Sequence, residues 1–282
     1  MQPHTSYLVC ATPRSGSTLL CEALTNTQRA GYPAEYFETL RATDLPKRPR
    51  EYFENGEISE LTDIPGNYSR IDERPPQQIA NYANYLAEVF KKGTTPNGVF
   101  GAKMMWGYLD DFISHVQQIS DYREMAVPDI LSAVFPNLQY ILVTRNDKVR
   151  QAVSLWKAIQ TKTWRIDRHE KAHTNSNEHP AQQEQELVFN FAAIDHLVQR
   201  LTEHDAAWRL YFACTGIQPF TVVYEELVHT YQETAIAILR YLRIPVPEHI
   251  TFAPRTMQRQ SNALSEEWVQ HYWALKQECR KR

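Results

Sequence analysis

Glycine is scarce in this chain, with nine residues among 282, where average usage of about 7% would give roughly 20. They stand at positions 16, 31, 56, 66, 93, 98, 101, 107 and 216. Neither a G-x-G-x-x-G dinucleotide fingerprint nor a G-x-x-x-x-G-K-S/T phosphate loop can be assembled from them. A bound nucleotide would need another kind of loop. Cysteine is sparse too. Cys10, Cys21, Cys214 and Cys279 form no C-x-x-C pair and no metal-ligand spacing with histidine, which argues against a disulfide framework or a zinc site and for a reduced, cytoplasmic setting. No window approaches about 18 consecutive apolar residues, and Met1 to Thr12 lacks a basic stretch followed by an apolar run, so neither a membrane span nor export is expected. An excess of one sign of charge is also missing: 30 Lys and Arg against 33 Asp and Glu leave a formal charge of -3. Nothing in that balance draws the chain to nucleic acid or to an anionic surface, and any anion site has to be local.

With 43% apolar and 22% charged residues, the composition is that of an ordinary globular protein with ample capacity for a core. No internal repeat or linker is visible, and residues 1–282 read as a single domain. Short runs rich in β-branched and aromatic residues at Tyr7–Thr12, Gly98–Met104, Gln139–Arg145 and Pro219–Tyr224 are the expected buried strands. Helical patterns fall at Ser17–Thr27, Asp129–Val134, Asp147–Lys162, Leu187–Phe212 and Thr230–Leu242. Strands alternating with helices predict an α/β fold with a mainly parallel sheet flanked by helices. Ligands of such sheets bind beyond the carboxyl ends of the strands, where the sequence puts Arg14 to Ser17, Lys103, Arg145, Glu225 and Glu226. Residues 43–76, rich in Pro, Glu, Arg and Asn, and the almost wholly polar residues 165–186 break the alternation and are expected as lid loops. His169, His173 and His179 in the second of these read as part of a solvated segment.

After the first expected strand, Thr12-Pro-Arg-Ser-Gly-Ser-Thr-Leu-Leu20 leads directly into a helix. Ser15 to Thr18 would set backbone N–H groups and hydroxyls at a helix N-terminus, which favours an anion. Gly16 lets the backbone approach closely, and Arg14 adds a fixed positive fork. A Ser/Thr N-cap with an incidental arginine fits the same residues. Arg145 leaves its strand at the carboxyl edge, and Ser154, nine residues on, would share a helix face with Asp147 and either Arg150 or Gln151. A solvated first turn is the alternative. Lys103 faces either the same crevice or the edge of the sheet. Trp106 and Trp156 suit core packing better than stacking on adenine or a sugar.

The loop T-P-R-S-G-S-T-L resembles the one by which sulfotransferases hold the 5′-phosphate of 3′-phosphoadenosine 5′-phosphosulfate (PAPS). The run R-N-D-K-V-R-Q-A-V-S-L-W from Arg145 resembles the segment whose Arg and Ser grip the 3′-phosphate in the same enzymes. A-T-P-R-S-G-S-T-L-L-C-E-A-L, G-Y-P-A-E-Y-F, R-P-R-E-Y-F, T-P-N-G-V-F-G-A-K-M-M-W, Q-A-V-S-L-W-K-A-I-Q-T-K-T-W and S-E-E-W-V stand in an order and spacing that resemble the bacterial trehalose 2-sulfotransferase family, from Tyr7 to Tyr272.

That resemblance implies a P-loop-like core, PAPS as co-substrate without a metal, and a homodimer of the kind some members form. It implies donor contacts from Arg14, Ser15, Gly16, Ser17, Thr18, Arg145 and Ser154, with Arg259 closing over the 3′-phosphate. Glu35 matches the family's general base, a role worth roughly 10²- to 10⁴-fold in rate. Arg14 is implied as a second catalytic residue, where negative charge develops. Pro13, Tyr32, Pro33, Tyr36 and Tyr52 would line the acceptor side together with Glu35. Tyr32 stands where the trehalose enzyme carries an acid in a G-E-P-Q-E-F-F block. The expected acceptor is therefore a carbohydrate, glycolipid or hydroxylated metabolite other than trehalose. Two alternatives stay open: a P-loop kinase, against which the missing Lys after Gly16 argues, and a non-catalytic nucleotide-binding protein that keeps the fold.

Overall fold

A computed structural model describes residues 3–38, 81–161, 187–247, 250, 252–253 and 262–281. The expected lid loops at 43–76 and 165–186, with Tyr52 and Arg259, lie outside those residues. Four parallel strands, β1 (Thr5–Ala11), β2 (Val99–Met105), β3 (Leu138–Thr144) and β4 (Phe220–Val223), form one sheet in the order β2-β1-β3-β4. Each begins and ends within about two residues of its expected position. All of β2 and all of β1 after its first residue are buried. A strand covered on both faces needs apolar residues throughout, so these segments read as continuous runs rather than alternating ones.

β1 pairs with β2 from Thr5↔Val99 to Ala11↔Met105 and with β3 from Ser6↔Leu138 to Cys10↔Leu142. The chain leaves β1 to one side to form β2, then returns past β1 to lay down β3 and β4 on the other. That reversal opens a crevice beyond the carboxyl ends of β1 and β3, where the segments Arg14–Thr18 and Arg145 begin. Lys103 lies inside β2 rather than past its end.

The helices are α1 (Ser17–Asn26), α2 (Tyr82–Gly93), α3 (Leu109–Val116), α4 (Val127–Val134), α5 (Lys148–Thr161), α6 (Phe191–Thr215), the short α7 (Tyr224–Leu227), α8 (Tyr231–Tyr241) and α9 (Ala263–Lys281). α6 begins four residues later than periodicity suggests, because the side chain of Asn190 accepts the N–H of Ala193 at 2.9 Å and caps it there. Leu187 instead packs against a neighbouring core as part of the extended approach. α2, α3, α7 and α9 are additions to the helices read from the sequence.

The chain divides into two compact units, one of residues 1–43, 75–146 and 203–254, the other of 44–74, 147–202 and 255–282. The first holds the sheet and a cluster of aromatic rings, with Phe37 edge-on to Phe112 at 4.7 Å and Phe100 stacked on Phe135 at 5.9 Å. The second is built on Val149, Val153, Trp156 and Ile159 of α5, Ile194, Leu197 and Leu201 of α6, and Trp268, Val269 and Tyr272 of α9. Trp156 is core there, its indole N–H donating to the Val188 carbonyl at 2.8 Å.

Candidate active site

β1 ends at Ala11, and Thr12 to Gly16 turn the chain into α1. The turn is closed by the Ser15 N–H donating to the Thr12 carbonyl at 3.3 Å. Arg14 (φ 61°) and Gly16 (φ 91°) both take left-handed backbone, which costs a non-glycine residue about 1 kcal/mol or more. Gly16 is the N-cap of α1, no side chain caps that helix, and no acid occupies its first turn. The Ser/Thr cap alternative therefore does not form, and among the described residues no side chain takes up the first-turn N–H groups, which suit an outside acceptor. Ser15 is fully buried, and its hydroxyl has no hydrogen-bond partner among the described residues. A buried hydroxyl without a partner is unfavourable. Together with the helix end it makes a set of donors suited to an anion.

The ends of three strands converge at this loop. A Cβ on Gly16 would collide with the ring of Tyr224, which opens α7 directly after β4. The Arg145 guanidinium, one residue past β3, lies 4.4 Å from the centroid of the same ring, a cation–π arrangement. Its Nη1 donates to the Arg14 carbonyl at 3.3 Å. Residues of α6 hold two of these strand ends. The Trp208 indole donates to the Ala11 carbonyl at 3.1 Å, and the Thr144 hydroxyl donates to Asp205 Oδ1 at 2.9 Å. Asp205 is buried and also accepts from Arg209 Nε at 3.2 Å.

Glu35 arrives along the outer edge of β2. The Gly31 N–H donates to Thr95 Oγ1 at 3.1 Å, Tyr32 N–H to the Gly93 carbonyl at 2.9 Å, and Lys103 N–H to the Ala34 carbonyl at 2.9 Å. This edge contact needs a glycine at 31, since a Cβ there would sit 2.6 Å from Gly101 N. One residue past Ala34, the Glu35 carboxylate pairs with Lys103 Nζ at 2.8 Å and accepts from the Tyr108 hydroxyl at 3.3 Å. Lys103 Nζ also donates to Thr18 Oγ1 on the first turn of α1 at 3.1 Å. Burial works against the charge on Lys103, yet attraction to Glu35, aided by Cys21 and Glu38, leaves it above the ordinary lysine value. Tyr108 is pushed well above the usual phenol range by burial first and by the Glu35 charge second, so it remains a donor.

The structure thus brings Arg14 to Thr18, Glu35, Lys103 and Arg145 into one unit, at the carboxyl ends of the strands. Pro13 and Tyr32 are half-buried and Pro33 buried. Tyr36 donates to the Tyr32 carbonyl at 2.6 Å and stacks on Phe100, and its hydroxyl is pushed up to about 12, chiefly by burial. Ser154 is half-buried on α5, in the second unit. On that helix Arg150 is paired with Asp147 at 2.5 Å and Glu266 at 2.6 Å, and Gln151 is fully buried. Tyr108, Tyr224, Asp205 and Trp208 carry no motif and are found only in the folded chain, although Tyr224 stands at a strand end, where it could have been sought. Among the described residues, no group of three or more His, Cys, Asp or Glu is arranged to hold a metal ion.

A parallel sheet with a glycine-capped, hydroxyl-rich helix end at its switch point, beside a lysine-paired carboxylate, gives an α/β core with donors suited to an anionic group. The chain belongs to the Stf0 sulphotransferase family, whose model matches residues 6–274, and it is an enzyme of the sulfotransferase class. It is 33% identical to the trehalose 2-sulfotransferase of Mycobacterium tuberculosis (strain ATCC 35801 / TMC 107 / Erdman) over 274 residues, covering 95% of this chain and 94% of that one. Identity to the trehalose 2-sulfotransferase of Mycolicibacterium smegmatis (strain ATCC 700084 / mc(2)155) is also 33%, over 277 residues, with the same coverage of 95% and 94%. A solved sulfotransferase from Alicyclobacillus acidocaldarius matches at a TM-score of 0.45 and 14% identity, covering 97% of this chain and 92% of that one. No helix among the described residues is long and apolar enough to cross a membrane.

Proposed function

We propose that this sulfotransferase moves the sulfuryl group of PAPS to a hydroxyl of a small carbohydrate, with Glu35 as general base. The observation that carries this reading is the donor set of Ser15 and the α1 N-terminus, one lysine side chain away from a carboxylate. Ser15 to Thr18 hold the 5′-phosphate, and Arg14 sits where charge grows on the sulfonate and the leaving phosphate. Arg145 takes the 3′-phosphate, with Ser154 and Arg259 added on the family resemblance. The acceptor oxygen bonds to sulfur as the bond from sulfur to the 5′-phosphate oxygen breaks. The hydroxyl proton passes to Glu35, and 3′-phosphoadenosine 5′-phosphate (PAP) leaves with the electron pair. A base held in place in this way is worth roughly 10²- to 10⁴-fold in rate.

A carbohydrate acceptor is supported by the two relatives, both named for trehalose. Tyr32, in place of an acid, favours a sugar other than trehalose, since hydroxyls that lose their partner bind poorly. Glycolipids and hydroxylated metabolites compete in the same assay. A homodimer, from the family resemblance, and a cytoplasmic setting, from the sparse and unpaired cysteines, complete the reading.

The donor assignment is tested by thermal unfolding with PAP beside ATP and magnesium. A ligand at about 100 times its Kd stabilises the native state by about 2.7 kcal/mol. PAP is expected to raise the melting temperature of the wild type, and less so that of Arg145→Ala. Stabilisation by ATP and magnesium alone would reverse the assignment in favour of a kinase.

A further inference from the structure

Two negative bodies have to approach each other in the proposed reaction: an anionic donor at the phosphate loop and the carboxylate that takes the proton. Lys103 stands at their junction. Its Nζ is 3.1 Å from Thr18 Oγ1 on the loop helix and 2.8 Å from Glu35 Oε2. Only 7% of Lys103 is exposed, so its ammonium is held against a strong desolvation penalty, while the Glu35 side chain keeps 28% of its surface open to solvent. The single hydroxyl proton of Tyr108, from the turn after β2, is shared between Glu35 Oε1 and the Lys103 carbonyl, each 3.3 Å away. Both oxygens of Glu35 are therefore engaged, one by β2 and one by the turn that follows it.

We propose that Lys103, with Tyr108, is the positioning residue for Glu35: it fixes the carboxylate beside the phosphate loop and offsets its repulsion from the donor. This rests on Glu35 being the base. The other titratable groups acting on Lys103 and Tyr108 are Cys21 of α1 and Glu38. The Cys21 thiol is pushed up to about 12, mainly by burial. Cys21 and Tyr108 thus stay neutral through the working range, and the charges that matter are Lys103, Glu35 and Glu38.

The test separates kcat from KM, with calorimetric PAP binding alongside, for Lys103→Met, Lys103→Arg and Tyr108→Phe. Lys103→Met is expected to lose at least about tenfold in kcat, more than it loses in PAP affinity. Tyr108→Phe loses less in kcat, and Lys103→Arg, which keeps the charge, restores part of the rate. A folded Lys103→Met with wild-type kcat, or one that loses PAP affinity as much as kcat, overturns the proposal. If Lys103→Met does not fold, wild-type kcat in Lys103→Gln overturns it equally. Wild-type turnover in Glu35→Gln would instead remove the base assignment itself. Loss of turnover there, beside wild-type kcat in Lys103→Met, removes only the role of Lys103.

Discussion

Replacing Gly16 by alanine adds one methyl group to the phosphate loop, and two costs follow from its surroundings. At φ 91° and ψ 5° a Cβ is disfavoured by roughly 1–2 kcal/mol. The added atom would also overlap Cδ2 of Tyr224 and lie 3.2 Å from its Cε2, so a packed ring has to move, at roughly 1–3 kcal/mol. Together these predict a loss of about 2–5 kcal/mol, and at about 2–4 °C for each kcal/mol the melting temperature falls by at least about 4 °C. Function suffers separately. The Arg145 guanidinium rests 4.4 Å from the centroid of that ring, and a moved ring misplaces the cation assigned to the 3′-phosphate. Losing a charge-assisted hydrogen bond of about 1.5–3 kcal/mol weakens PAP binding about 10- to 150-fold. Differential scanning calorimetry reads the first effect and isothermal titration with PAP the second. A Gly16→Ala protein that melts within about 1 °C of wild type and binds PAP equally well would refute both the packing of Tyr224 and its link to the donor site.

Asp205→Ala removes the acceptor of Thr144 and Arg209, and a stability loss of about 1.5–3 kcal/mol is expected in urea unfolding. Because Thr144 directly precedes Arg145, PAP binding weakens as well; unchanged PAP affinity would show that Asp205 does not hold the strand end. Burial raises the Cys21 thiol from its ordinary 9.0 to about 12, so the folded chain keeps a proton that the unfolded chain loses. That contribution is whole below about pH 9 and is lost as pH rises toward 12, by at most about 1.4 kcal/mol per pH unit. Cys21→Ala is expected to flatten the alkaline fall in urea midpoint, leaving the shares of Cys10 and Tyr7, which burial raises in the same direction. An unchanged slope contradicts it.

What was legible in the sequence follows from what each element touches. β1, β2 and β3 from Tyr140 onward are buried on both faces, so their identity is written locally, and they appear close to where composition puts them, as does the more exposed β4 through its β-branched residues. The start of α6 was less clear, because Leu187 belongs to an apolar core without being helical. The signal for α2 was present in Tyr82, Leu86 and Val89 behind the capping Asn81, and that for α9 in Ser265, Trp268, Val269 and Tyr272. Both helices bury narrow stripes amid polar residues, which blurs their period. At the site, Arg14 to Thr18 are contiguous and readable as a loop. Glu35 stood out only through family resemblance, because the groups that hold it come from 73 residues further along, at Tyr108, and 68 further, at Lys103. Tyr224, which packs on Gly16, comes from another strand end altogether, and no local pattern encodes such a contact.

The most direct measurement is transfer of labelled sulfate from PAPS to a panel of small carbohydrates, trehalose among them, by wild-type protein and by Glu35→Gln. Wild type is expected to label at least one carbohydrate, and Glu35→Gln to bind PAP normally while transferring roughly 10²- to 10⁴-fold more slowly. Transfer by Glu35→Gln at the wild-type rate, or wild-type protein that binds PAP yet labels no carbohydrate of the panel, would contradict a carbohydrate sulfotransferase that works through this carboxylate.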